Sequence, residues 1–281
     1  MVAFASVIYW DAIDYLDDFI ESINNQSYDG FDVLLINDDI KNLDLINIKE
    51  RIKGHQVYIV DKTKSFHTPI ELRICLLSEA KKMGYDLIVL GDCDDKFDKN
   101  RIQQLVKCYR KHPNYAFFYN DLRLFNGSLA FENMPRITQT IDDILEYNYL
   151  GLSNSALNLR MFSEEWINSL IECESFVFDW YLFSRIVLLN KKGCYVENAA
   201  TIYRIHQNNF VGINSKSHKM LEKELIVKKA HYQILSKYSK KIEMLFNIIK
   251  DMTIEDVKSF DNISTFWWGN IKILKEDIAD V

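Results

Sequence analysis

The stretch Asp86-Leu87-Ile88-Val89-Leu90-Gly91-Asp92-Cys93-Asp94-Asp95 decides the fold. An unbroken apolar run of this length, bounded by turn residues, is a strand buried on both faces. It gives way to a glycine and then to three carboxylates within four residues. Acids so close together repel one another unless water, a basic neighbour or a hard divalent cation offsets the charge. The plainer alternative is a solvated loop that caps the next helix.

The same pattern of strand and helix surrounds it. Val2–Trp10 is apolar, with no charge before Asp11. Asp14–Gln26 carries Leu16, Phe19, Ile20 and Ile23 at helical spacing, with Asp14, Asp17 and Asp18 where acids suit a helix N-terminus. Phe31–Ile36 is a second apolar run, ending in Asn37-Asp38-Asp39, and Gln56–Val60 is a third. The spacing predicts helices over Thr68–Met83, stopping at Gly84, and over Lys99–His112, stopping before Pro113, then a strand at Tyr115–Tyr119. Continuous apolar strands alternating with helices predict a mostly parallel sheet covered on both faces, in which ligands bind beyond the carboxyl ends of the strands.

Farther along, Arg123–Phe131 reads as a hairpin around Asn126-Gly127. Helices are expected at Ile141–Tyr147, Glu164–Ile171 and Phe178–Leu189, and one or two strands in Gly193–Ile205. Everything from Ser215 onward reads as helical. The expected organisation is an α/β domain over residues 1–213 and a helical extension over 214–281.

Composition narrows the function classes. Lys and Arg number 34 against 40 Asp and Glu, a net charge of −6, which argues against broad nucleic-acid binding. The cysteines, Cys75, Cys93, Cys108, Cys173 and Cys194, form no CxxC and are odd in number, which argues against a disulfide framework or a zinc ribbon. Met1–Trp10 has no basic leader pattern, and no run approaches the ~20 apolar residues of a spanning helix. A cytoplasmic protein is expected, with a peripheral contact on the inner face of the membrane left open.

Several residues are candidates for chemistry. Asp92 and Asp94 follow the decisive strand. Asp38 and Asp39 end a second strand, where a carboxylate accepts from a ribose hydroxyl or simply makes a turn. Asp179 stands among aromatics in Phe176-Val177-Phe178-Asp179-Trp180-Tyr181, which favours a raised pKa and a general base, or else an N-cap. Arg204 and His206 lie two apart on an expected strand, so they share a face suited to phosphate or metal, or to a satisfied surface histidine.

In order and spacing, these segments resemble the family-two glycosyltransferases of GT-A fold, over about Val2 to Ile213. The segments are Phe4-Ala5-Ser6-Val7-Ile8, Asn37-Asp38-Asp39, Leu72-Arg73, Leu90-Gly91-Asp92-Cys93-Asp94-Asp95, Phe178-Asp179-Trp180, and Tyr203-Arg204-Ile205-His206 with Asn209-Phe210-Val211-Gly212. The resemblance implies a metal-dependent, inverting transfer of one sugar from a nucleoside-diphosphate-sugar to a saccharide or lipid-linked acceptor, as in surface polysaccharide synthesis. It implies Mn2+ or Mg2+ on Asp92 and Asp94, with His206 completing the shell. It also implies Asp179 as base, and Trp10, Asp38, Asp39, Arg73, Asp92 and Arg204 around the nucleotide-sugar. Two departures fall at the nucleotide: Ile8-Tyr9-Trp10-Asp11 replaces Pro-x-Tyr-Asn, and Ile40-Lys41 replaces Gly-Ser. The processive Gln-x-x-Arg-Trp is absent. Two rival readings are a non-catalytic nucleotide-sugar-binding protein and a sugar-1-phosphate nucleotidyltransferase. The latter would want a Gly-rich phosphate loop where Trp10–Asp18 is acidic and without Gly.

The segment 216–241 carries +6 within a chain of −6, and Phe266-Trp267-Trp268 forms an aromatic cluster. Three readings stand: a packed helical extension with solvated lysines, docking on an anionic membrane, or a homodimer contact through Trp267 and Trp268.

Overall fold

The computed structural model describes residues 1–62, 68–173, 177–205, 218–257 and 266–273. Along the chain run β1 (Val2–Tyr9), a 3-10 turn (Trp10–Tyr15), α1 (Leu16–Asn24), β2 (Asp32–Asp38), α2 (Asn42–Arg51) and β3 (Val57–Asp61). Then follow α3 (Pro69–Lys82), β4 (Leu87–Leu90), β5 (Lys96–Phe97), α4 (Arg101–Lys111), β6 (Phe117–Leu124), β7 (Ile137–Thr138) and β8 (Ser155–Asn158). Last come α5 (Glu164–Ser169), α6 (Phe178–Leu188), β9 (Gly193–Tyr203), α7 (His218–Leu235) and α8 (Lys240–Ile249).

One sheet holds the nine strands in the order β3-β2-β1-β4-β8-β6-β9-β5, with β7 also on β9. The first four are parallel, as expected. Beyond β4 the sheet turns mixed: β8 runs antiparallel to both β4 and β6, while β6 and β9 are parallel. Strand residues alternate between two apolar layers. Ala3, Ala5, Leu34, Ile36, Ile88 and Leu90 face one layer with α3, α6, α7 and α8. Phe4, Ile8, Val33, Leu35, Leu87 and Val89 face the other with α1, α2 and α4. Both faces of the sheet are therefore dry, which is why its strands read as unbroken apolar runs.

Some expectations need adjusting. The hairpin at Asn126-Gly127 is present, with Gly127 at φ +85° and Leu124 N–H bonded to Ser128 C=O. The helix expected over Ile141–Tyr147 is only a 3-10 turn, Ile141–Ile144. The tail is not helical throughout: α7 and α8 form, but residues 266–273 are irregular. The described tail packs on the main domain, since Leu225, Tyr232, Leu235, Ile242 and Ile271 join the same core as α3 and α6. The expected boundary at 213/214 lies outside the described residues.

Two features set the end of β4. Gly91 is required by close approach, because a Cβ there would sit 2.5 Å from the Phe97 ring and 2.6 Å from Phe4. Arg101, from α4, is fully buried beneath the loop. Its Nη2 donates to the carbonyls of Leu90 (2.7 Å) and Ser153 (2.8 Å), and its Nε donates to Asn120 Oδ1 (2.9 Å). Burial pulls its pKa down to about 9, and the charges of Asp95 and Asp92 oppose that. Arg101→Leu is expected to cost about 3–5 kcal/mol, because those acceptors and carboxylates lose their buried counterpart. Urea unfolding checks this; a loss below about 1 kcal/mol, the size of an ordinary substitution, would show that the guanidinium does not hold the loop.

Candidate active site

The carboxyl ends of β1, β2 and β4 open on one side of the sheet, and the candidate residues gather there. β1 ends at Tyr9 opposite Asp38 of β2. Trp10 follows, 50% exposed, with the Lys41 ammonium 5.9 Å from its ring centroid. Asp38 and Asp39 share one cation: Lys62 Nζ, just beyond β3, reaches both carboxylates. Asn37 holds the turn, accepting from Ile40 N–H (2.9 Å) and donating to Asp61 (2.8 Å), while Asp39 sits at φ +65°.

α3 brings Arg73 to the same end. Its N-terminus is fixed by a capping box, in which Thr68 and Glu71 satisfy each other's backbone N–H groups, with Pro69 in the first turn. No described residue hydrogen-bonds the Arg73 guanidinium. Its charge instead lowers the pKa of both Asp92 and Asp179.

The three acids after β4 divide in role. Asp95 is 1% exposed; it accepts from Ser153 Oγ and from the Arg204 backbone N–H (2.8 Å). Burial, then the charges of Asp94 and Asp92, push its pKa well above the usual carboxylate range. Asp95 is thus a structural anchor. Ser153 Oγ also accepts from the Asp92 N–H (3.2 Å), tying the loop before β8 to the acidic segment. Asp92 and Asp94 remain partly accessible. Burial raises the Asp92 pKa, Arg73 pulls it down, and Asp94 raises it.

Asp179 lies in the first turn of α6, not at its N-cap, which is Val177. Its Oδ1 accepts from Trp180 N–H at 2.6 Å. Burial lifts its pKa to about 6, against the opposing pull of Arg73 and with a smaller push from Asp92. A carboxyl so tuned takes up a proton near neutral pH, as a general base must.

Arg73, Asp92 and Asp179 line a single cleft of about 200 Å³ together with Leu122, the loop Gly151–Asn154, Tyr203, Trp267 and Trp268. Tyr203 was not singled out as a site residue. Burial raises its hydroxyl pKa, and the charges of Asp95, Asp92, Asp94 and Asp179 raise it further. Ser153, Trp267 and Trp268 were also missed as cleft residues. Only the aromatic run at 266–268 gave any signal, and it pointed to the surface.

Arg204 is occupied. Its Nη2 donates to Asp18 (2.6 Å) and its Nε to the Asp94 carbonyl (2.8 Å), and its guanidinium covers the Tyr15 and Phe125 rings. It clamps the acidic loop to α1. His206 lies outside the described residues.

Among the described residues, no three His, Cys, Asp or Glu side chains cluster to hold a metal by themselves. The pair Asp92 and Asp94 still fits a hard divalent ion. Magnesium-like ions characteristically take one or two carboxylates and complete their shell with phosphate and water. Among the described residues no helix is long and apolar enough to cross a membrane. Of the basic segment, Lys228 is buried, Lys229 donates to the Met252 carbonyl, and Lys237 and Lys241 pair with Glu172 and Asp142.

Arg73→Met is expected to raise the Asp179 midpoint above about 6, because the cation that opposes burial is removed. Carboxyl-carbon NMR titration reads this directly; an unmoved midpoint would contradict the electrostatic linkage.

A family model for glycosyl transferase family 2 matches residues 6–154, more than half of the chain. No curated protein matches the sequence. Among solved structures, TarS 1-349 of S. aureus in complex with UDP is similar at TM-score 0.58 and 13% identity, covering 88% of this chain and 70% of that one. The mannosyltransferase PcManGT from Pyrobaculum calidifontis, in complex with GDP-Man and Mn2+, gives 0.55 and 11%, covering 91% and 68%. GalNAc-T7 with UDP, GalNAc and Mn2+ gives 0.60 and 10%, covering 92% and 52%. At these identities the likeness shows a shared GT-A fold.

Proposed function

The chain belongs to glycosyl transferase family 2, and from that premise we propose that it transfers one sugar from a nucleoside-diphosphate-sugar to a hydroxyl of a saccharide or lipid-linked acceptor, inverting the anomeric centre. The observation that carries this reading is the convergence of Arg73, Asp92 and Asp179 in one cleft beyond the sheet. A base, a carboxylate for metal and a cation for phosphate are the parts such a transfer needs.

The nucleoside lies over Trp10, with Asp38 and Asp39 toward the ribose. The exposed indole, the neighbouring Lys41 and the two acids at the end of β2 support this. Arg73 faces the diphosphate. Asp92 and Asp94 hold Mn2+ or Mg2+, which supplies Lewis-acid neutralisation of the charge on the departing diphosphate. Asp179 accepts the proton of the acceptor hydroxyl. The freed oxygen attacks the anomeric carbon opposite the bond to the diphosphate, that bond breaks, and the nucleoside diphosphate leaves with its electron pair. Positioned base catalysis of this kind contributes on the order of 10²–10⁴ in rate.

A nucleotidyltransferase would release pyrophosphate instead, and the loop after β1 has no Gly-rich phosphate cradle to serve it. A binding protein without catalysis would leave the nucleoside-diphosphate-sugar intact, whereas the transfer releases free nucleoside diphosphate.

Asp179→Asn keeps the shape of the side chain and removes its basicity. It is expected to lower kcat by at least about a hundredfold while nucleotide affinity persists. Turnover of the unmodified chain should fall as pH drops through about 6, because the base must be ionised to accept a proton. Assay of free nucleoside diphosphate against pH checks both. Wild-type turnover in the variant, or pyrophosphate as product, would overturn the assignment.

A further inference from the structure

In the run Phe266-Trp267-Trp268 the first two residues are half-buried and the third is buried, and none is part of a helix. Trp268 is 3% exposed and packs with Val177, Trp180 and Val227. Trp267 exchanges both backbone hydrogen bonds with Asn148, at 2.8 and 3.0 Å. Its ring meets Phe131 edge-on at 4.7 Å and lies 6.3 Å from Tyr203. Phe266 stacks on Tyr147 at 5.3 Å. The backbone is held against a preference: Trp268 adopts φ +60°, the left-handed region that a bulky residue enters only when its surroundings dictate it.

What dictates it is a buried polar latch to α7. The Glu224 carboxylate accepts from Ile271 N–H (2.6 Å) and Asn270 Nδ2 (2.9 Å). Lys228 Nζ, fully enclosed, donates to the carbonyls of Ile271 and Glu146. The Glu146 carboxylate accepts from Ile273 N–H. Charged groups rarely go inside a protein unless each finds partners, and here those partners are residues 270–273 together with the Glu146 carbonyl. Gly151, across the cleft, leaves room for it: a Cβ there would lie 3.2 Å from the Trp267 ring.

The segment's place in the sheet says what it serves. Trp10, Asp38 and Lys41 lie at the β1–β2 side of β4. Trp267 stands with Leu122 of β6 and Tyr203 of β9, on the far side of β4, in the same cleft as Asp179. An acceptor must bring its hydroxyl to Asp179 from the side the nucleotide does not occupy. A pyranose ring offers an apolar face of C–H groups and a rim of hydroxyls; an aromatic surface covers the first, and polar groups of the cleft such as Asp179 and Tyr203 meet the second.

We propose that the tail segment 266–268 completes the acceptor subsite, with Trp267 as the platform for a saccharide acceptor ring and Glu224 and Lys228 as positioning residues that hold it there. The inference rests on the glycosyltransferase reading and reaches beyond residues 6–154, where the family match ends.

The test uses the full chain loaded with Mn2+ and whichever of uridine, guanosine or thymidine diphosphate binds it tightest. Saturation-transfer NMR then probes methyl α- and β-glycopyranosides of glucose, galactose, N-acetylglucosamine and rhamnose. At least one glycoside should bind to the unmodified chain. Trp267→Ala should weaken it by about tenfold or more, the size of a lost aromatic contact, while Trp267→Phe restores most of the binding. Nucleotide affinity should stay within about twofold in both variants, because the nucleotide lies across β4. Lys228→Met should weaken the glycoside and spare the nucleotide. If circular dichroism shows Trp267→Ala unfolded, Trp267→Leu against Trp267→Phe makes the same comparison. Equal glycoside binding with and without the indole, or no glycoside binding to a chain that binds nucleotide, overturns the subsite alone. A chain that binds no nucleoside diphosphate overturns the glycosyltransferase reading as well.

Discussion

The structure depends on gathering Asp92, Asp94, Asp95 and Asp179 at one end of the sheet, where Asp92 and Asp179 line the cleft. Like charges in a partly dry space resist being brought together, and burial raises the proton affinity of Asp92, Asp95 and Asp179. Three arginines from three elements offset the strain. Arg101 lies beneath the loop and binds the carbonyls at the end of β4 and at Ser153. Arg204 fastens the Asp94 carbonyl to Asp18. Arg73 stands at the open side, its charge acting on Asp92 and Asp179. The first two brace the protein; the third is turned toward whatever enters the cleft. Asp95, satisfied by Ser153 and the Arg204 N–H, gives up accessibility so that its two neighbours can keep theirs.

The sheet turns that cluster into a two-sided site. Its parallel half ends at Trp10, Asp38 and Asp92, the usual position for a ligand in such a sheet. The antiparallel insertion of β8 next to β4 brings the Gly151–Asn154 loop over the acids. It also places β6 and β9 beyond them, so Tyr203 and the tail segment wall the opposite side. The tail is irregular, yet it is tied to buried charges on α7.

Much of this was legible in the sequence. The runs at Val2–Trp10, Phe31–Ile36 and Asp86–Leu90 gave the parallel half because strands dry on both faces carry no polar punctuation. The acidic end of the β4 run marked Asp92 and Asp94 as candidates, and the lone carboxylate within an aromatic stretch marked Asp179. β8 was not legible: Ser155-Ala156-Leu157-Asn158 is four residues long and wholly buried, too short for any periodicity to register. α2 was missed as well, because only Leu45 and Ile48 turn inward from an otherwise polar stretch. The roles of Arg101 and Arg204 depend on partners tens of residues away, which no local pattern encodes. Lys228 and Glu224 read as surface charge because long charged side chains usually are. Their burial follows from contacts with residues 270–273, a long-range pairing that spacing cannot reveal.

The central claim is that the acids after β4 serve a metal that in turn serves a diphosphate. Calorimetric titration of uridine, guanosine and thymidine diphosphates into the full chain, with and without Mn2+, tests it most directly. The account predicts that at least one nucleotide binds only when Mn2+ is present, and that Asp94→Ala abolishes this binding while leaving the fold intact. Equal affinity with and without the ion, or undiminished Mn2+-dependent binding in Asp94→Ala, would contradict it.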